Sequence, residues 1–279
     1  FIMNRYQILI EYVGTNFRGW QIQKKGLTIQ GYIQKNISKA LKKTSIKTSC
    51  QDASIIAVDW NGRTTDMLSL IEGHFYSTPD VDRFPPFTRS AKGVVEDSIY
   101  KDVWIFKLKV FGVNIQMNGV YFGVDKLGHF ITVGRDYYKS YLKQIKRGKS
   151  SKKAVHRAIR RGIFSERTYY GYIISGVFSF ADLESNYQGL KFVRSFCEGN
   201  NPLLQRSENG SWELSREVDI TQYVTPKWDE SFYTSTFTRK RFRQVKNYLK
   251  NYCEMRNNPK VVKRFDYYRS FDEENINSL

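Results

Sequence analysis

Asp125 and His129 stand four residues apart in a stretch whose apolar spacing predicts a helix, so their side chains share one face. Glu166 and Asp182 lie near the starts of two later helical stretches that can pack against it. One imidazole with several carboxylates suits a divalent cation or a general acid–base pair. A buried polar network suits it better, in which Asp125 holds Lys126 or the His129 ring while Glu166 and Asp182 cap their own helices. The chain has only 3 histidines, and His74 and His156 sit in unrelated contexts, so no metal is expected. Gly62-Arg63-Thr64-Thr65-Asp66 also has chemical character: Arg63 can pair with Asp66, a candidate nucleophile or base. The simpler reading of that string is a helix start, with Thr65 or Asp66 capping residues 67–73. There is no G-x-G-x-x-G turn, P-loop or G-x-S-x-G elbow, and no cofactor is expected.

A different chemistry is written between residues 139 and 161. Lys143, Lys146, Arg147, Lys152, Lys153, Arg157, Arg160 and Arg161 span a helix end, a turn and a helix start, with Tyr137, Tyr138 and Tyr141 alongside. Such a hairpin can track a phosphate backbone while the tyrosines stack on unpaired bases. Arg239, Lys240, Arg241, Arg243, Lys246 and Lys250 make the last long helix basic too. The alternative is a pair of solvated faces.

These residues need elements to position them. Tyr6, Ile8, Ile10 and Tyr12 alternate on a strand, and Thr28 can cap an amphipathic helix carrying Ile29, Ile33, Ile37, Ala40 and Leu41. Residues 53–60 fit a short strand or a helix start. Residues 77–101 are turn-rich, and a hairpin is expected from strands 103–111 and 113–121 turning at Gly112. Helices follow over 125–147, ended by Gly148; from Ser150 or Ser151 to Gly162; from Ser165 to Gly176; and from Ser179 to Cys197. Residues 203–237 read as loop, 238–255 as a final helix, and the remainder as a frayed tail. The fold class is α+β: an N-terminal βα unit and a hairpin, then a mainly helical C-terminal body. The expected units are 1–46, an irregular connection 47–100, a helical domain 101–255 and a tail 256–279.

The string Glu11-Tyr12-Val13-Gly14-Thr15-Asn16-Phe17-Arg18-Gly19-Trp20-Gln21-Ile22-Gln23, followed by Thr28-Ile29-Gln30-Gly31, resembles the N-terminus of the TruA-type tRNA pseudouridine synthases over about residues 4–43. That family flips a uridine out of tRNA and uses an aspartate to detach and reattach the base through carbon, without a cofactor. The resemblance implies Arg18 as an RNA contact. It also sets Gly62-Arg63-Thr64-Thr65-Asp66 beside the family's catalytic G-R-T-D, with one threonine inserted and Met67-Leu68-Ser69-Leu70 where G-V-H-A is expected. Phe164 to Ile173 echoes a family strand, F-S-x-R-x-Y-x-Y-x-I, with one residue inserted, and is read as chance. The body is similar to uncharacterised bacterial proteins, often with export signals, at Asp125-Lys126-x-Gly128-His129-Phe130, Gly176-x-x-Ser179-x-Ala181-Asp182-Leu183 and Trp228-Asp229-Glu230.

Composition narrows the partners. The 45 Lys+Arg against 27 Asp+Glu leave +18, so tRNA or another polyanion is the natural partner, an anionic membrane surface the alternative, and a homodimer a further candidate assembly. The 3 cysteines make no disulfide framework, although Cys197 and Cys253 can pair if the protein is exported. Without a signal-peptide core the chain reads as cytoplasmic, or as bacterial envelope if an upstream signal precedes Phe1. The functional reading is a tRNA-directed protein of pseudouridine-synthase type that isomerises uridine. Its alternative is an uncharacterised, non-catalytic bacterial protein with a helical domain, envelope-associated and carrying a synthase-like N-terminal fragment.

Overall fold

A computed structural model describes residues 29–42, 44, 47–59 and 114–271. The opening strand, the string 11–23 with Arg18, the Arg63–Asp66 loop and the strand 103–111 lie outside the described residues. What is described is α+β: helices around one hydrophobic core, with small two-stranded antiparallel sheets at its margin.

Helix α1 (Ile29–Leu41) buries Ile33, Ile37, Ala40 and Leu41 and leaves Lys35 and Lys39 in solvent. Of the expected segment 53–60, residues 53–59 are helical, because Ser49 Oγ accepts the Asp52 N–H (3.1 Å) and donates to the Asp52 carboxylate (2.7 Å). The helix that follows, α2 (Cys50–Asp59), packs Ala53, Ala57 and Val58 into the same core as α1. A disulfide joins Cys50 to Cys197, so the expected Cys197–Cys253 pairing does not form; Cys253 is exposed on a distant helix.

Strands β1 (Asn114–Met117) and β2 (Val120–Gly123) form a hairpin that turns at Asn118-Gly119, inside the single strand expected over 113–121; the expected turn at Gly112 lies outside the described residues. Both turn residues have positive φ, 51° and 73°, the backbone that a two-residue type I′ turn needs and that Asn-Gly tolerates best. Helix α3 is continuous through Asp125–Gly128, a π-helical stretch His129–Val133, and Gly134–Ile145. Helix α4 (Ser151–Ser165) returns antiparallel and passes into a second π-helical stretch, Glu166–Tyr170. The separate helix expected over 165–175 is therefore absent. The Ser165 and Thr168 hydroxyls donate back to Gly162 O (3.1 Å) and Phe164 O (2.8 Å), continuing α4 instead of capping a new helix.

Helix α5 (Phe180–Arg194) starts where Ser179 Oγ accepts the Asp182 N–H at 3.1 Å. It runs through the middle of the body and is buried on nearly every side, from Ala181 to Val193. Gly134 of α3 and Gly189 of α5 face each other so closely that a Cβ on either would collide with backbone of the other helix, which is how the two helices come together. Phe130, Phe192 and Trp228 fill the space beside that crossing.

Two short antiparallel pairs complete the described strands: β3 (Val177–Phe178), just before α5, pairs with β6 (Thr236–Phe237), and β4 (Leu204–Arg206) pairs with β5 (Trp212–Leu214). Thr238 caps α6 (Arg239–Met255) through the Arg241 N–H. The expected frayed tail is instead a helix, α7 (Pro259–Arg269), with Asn258 accepting the Lys260 N–H and Pro259 in its first turn. Its Tyr268 is fully buried, donates to Asp229 Oδ2 (2.9 Å) and accepts the Tyr121 N–H (3.0 Å), fastening α7 to β2.

Candidate functional sites

The two ends of α3 carry two different groups of charge. At its N-terminal end the Lys126 side chain, 3% exposed, places Nζ 2.6 Å from Asp182 Oδ1, 2.8 Å from Asp125 Oδ2 and 3.2 Å from Glu230 Oε1. Burial alone would lower the ammonium's pKa; the three carboxylates outweigh it and hold Lys126 above the usual lysine value. His129 turns Nε2 to Asp182 Oδ2 (3.3 Å) and Nδ1 to Asn186 Oδ1 (3.1 Å). Ser179 binds the pieces together, since its N–H donates to Glu166 Oε1 (3.3 Å), its hydroxyl donates to Glu230 Oε1 (2.7 Å), and its Oγ accepts from Asp182 N–H.

Glu166 therefore holds the start of α5 rather than capping its own helix. Burial first, and then the charge of Asp182, push its carboxyl up to about 7, against His129, the Ser179 N–H and Lys126. The phenol of Tyr137, 5% exposed, faces the same group: burial raises its pKa, the Asn186 amide opposes this, and Glu166 and Asp182 reinforce it.

Asp125, His129 and Asp182 can each offer one ligand atom, all within 4.8 Å of one another. The same two aspartates already bracket an ammonium at 2.6–2.8 Å, so a divalent ion there would face the positive charge of Lys126 at contact range. The arrangement is that of a hydrogen-bonded polar network built around Lys126. Glu230 was not visible from spacing, because it reaches the cluster from an element remote in sequence, whereas Asn186 stands four residues after Asp182 on α5 and shares its face, a signal that helical spacing carries.

The other end of α3 has the opposite character. Lys143, Lys146 and Arg147, then Lys152, Lys153, Arg157, Arg160 and Arg161 on α4, are all exposed, and Gly148 (φ 72°) makes the turn between them. Ala154, Ala158 and Gly162 occupy the face of α4 turned inward, which fixes the cationic residues outward. Tyr137, Tyr138 and Tyr141 do not join them as stacking surfaces. They are at most 5% exposed and belong to the core, and burial pushes the Tyr138 phenol up to about 12. The aromatic ring that does stand beside the cations is Phe164, 61% exposed. Most of the second basic group, on α6, is also exposed, but Arg241 is buried and donates to Ser175 O at 2.8 Å.

Comparison with known proteins bears on a segment of about a fifth of the chain. The chain is 52% identical over 59 residues to tRNA pseudouridine synthase A of Pelagibacter ubique, covering 20% of this chain and 24% of that protein. A segment of this chain is of the tRNA pseudouridine synthase A type. The enzymes of the same name from Ruminiclostridium cellulolyticum (43% over 53 residues; 19% and 22%) and Aquifex aeolicus (40% over 60 residues; 21% and 25%) match over similar lengths. The chain thus spans about a quarter of the length of these curated relatives. No family model and no solved structure matches it. The likeness is confined to a segment of the chain.

Proposed function

We propose that this protein is directed at tRNA: a pseudouridine-synthase-type N-terminal segment recognises it, and the basic hairpin of α3 and α4 adds a phosphate-binding surface. The observation that carries the reading is the segment's 52% identity to a tRNA pseudouridine synthase A. The hairpin supports it independently, because none of Lys143, Lys146, Arg147, Lys152, Lys153, Arg157, Arg160 and Arg161 forms an ion pair among the described residues. Unneutralised cations on one face attract a polyanion and release its counterions on binding. In the catalytic form of the proposal Asp66 detaches and reattaches the uracil base with Arg63 as its ion partner, and no cofactor takes part. The helical domain 101–255 is then an addition to the synthase-type segment 1–46, with 47–100 as connection and 256–279 as tail. Incubating the protein with bulk tRNA and counting pseudouridine by mass spectrometry tests this. The parent forms pseudouridine and Asp66→Ala does not; a parent that forms none ends the enzymatic reading.

One observation favours a second reading. The Cys50–Cys197 disulfide ties α2 to the chain just after α5, and structural disulfides persist mainly in oxidising compartments. This supports a non-catalytic, envelope-associated protein in place of a cytoplasmic enzyme. Fractionating cells with thiols trapped at lysis separates the two: an oxidised Cys50–Cys197 pair in an envelope fraction favours the second, and reduced cysteines in the cytoplasm the first.

A further inference from the structure

Between the C-terminal end of α3 and the second half of α4 lies a cleft of about 410 Å³, lined by Ser140, Lys143, Gln144, Arg147, Arg157, Arg160, Arg161 and Phe164. Five of these side chains are cationic and none is acidic. Other cations nearby do find carboxylates: Arg135 and Lys139 reach Asp136, and Arg194 reaches Glu198. The five in the cleft find none among the described residues. Arg157, Arg160, Arg161 and Phe164 fall at i, i+3, i+4 and i+7, one face of α4, while Lys143 from the last turn of α3 and Arg147 from the turn after it also line the cleft. A ring that is 61% exposed gains little from the core, so its place among guanidinium groups is accounted for by a ligand with both a π-face and negative charge.

From this geometry we infer that the cleft is a subsite for one unpaired nucleotide of an RNA strand, its base on the Phe164 ring and its flanking phosphates on Arg147, Arg157 and Arg161. Ser140 and Gln144 supply uncharged donors and acceptors for the base edge or the ribose. The inference deepens the proposed tRNA-directed function and rests on it. Stacking gives affinity without sequence preference, and guanidinium groups hold phosphate oxygens in bidentate fashion. The cleft is concave, with its aromatic ring among the cations. A membrane-binding face instead sets apolar residues outermost to enter lipid, a role that the exposed Tyr172-Ile173-Ile174 turn fits better than the cleft does.

The test measures binding of the full chain to a labelled oligouridylate, to inorganic polyphosphate and to vesicles containing an anionic lipid. The parent binds the oligouridylate, and this arm tests the tRNA-directed reading itself. Phe164→Ala weakens oligouridylate binding by about 5- to 100-fold, as loss of one stacked base does, while polyphosphate binding stays within twofold. Phe164→Trp restores it. Arg157→Gln with Arg161→Gln weakens both polyanions. If the parent binds the oligouridylate and Phe164→Ala does not change it, or weakens polyphosphate equally, the subsite is overturned while the RNA reading stands. If the parent ignores RNA, both are overturned, and if it binds the vesicles in preference to RNA, both are overturned and the surface belongs to a membrane.

Discussion

Helix α3 begins among charges that are partnered inside the protein and ends among charges that are not. At Lys126 one ammonium meets Asp125, Asp182 and Glu230 within 3.2 Å, at a position 3% exposed to solvent. At Lys143 and Arg147, nearly the whole helix further on, exposed cations line a cleft with no carboxylate among the described residues. The same kinds of side chain do opposite work. Buried charge contributes to folding only while its partners remain, whereas exposed and unpaired charge contributes little to folding and is free for a partner outside. The first end accounts for the structure; the second is where recognition is to be sought.

The comparison breaks first at Lys126. Lys126→Met strands three carboxylates around an apolar side chain and costs about 3–5 kcal/mol in urea unfolding. A loss under about 1 kcal/mol would show that solvent, and not Lys126, neutralises the cluster. Glu166 gives the next largest effect, and it depends on pH. Its folded carboxyl titrates at about 7 against an ordinary value of 4.5, so the folded protein holds this proton after the unfolded chain has released it. Stability therefore falls as pH rises from 4.5 to 7, by on the order of 3 kcal/mol from this group alone. Glu166→Gln removes that decline, so the variant gains on the parent across the window. Parallel unfolding curves for parent and variant from pH 4.5 to 7 contradict the assignment. At the other end of the helix the effect on folding is smallest: Lys143→Gln, Arg147→Gln and Arg157→Gln each leave stability within about 0.5 kcal/mol.

Much of this was legible in the chain because the signals are local. Ser179 and Thr238 are polar residues placed where helical spacing begins; Ser179 caps as expected, and Thr238, expected as the first residue of the final helix, caps it. Asp125 and His129 share a face because four residues make roughly one turn. The Asn118-Gly119 turn and the Asn258-Pro259 helix start carry equally local signals. Nothing local signals that Glu230 reaches Lys126, that Tyr268 reaches Asp229, or that Cys50 pairs with Cys197. Those contacts depend on how α5 is wrapped, and a sequence pattern with periods of two or 3.6 residues does not encode it. The tyrosines of α3 show the same limit. Their proximity to basic residues was visible, but the burial that withdraws them from solvent was not.

The central claim is that the basic hairpin is a polyanion-binding surface and not merely a solvated one. It is tested most directly by titrating bulk tRNA against the parent and against a variant with Lys143, Arg147, Arg157 and Arg161 all changed to Gln, over a range of salt concentration. Each phosphate contact contributes about 0.7–0.9 to the slope of log affinity against log salt, so the parent's slope should be steeper by about 3. Equal slopes and equal affinities for the two proteins would contradict the claim.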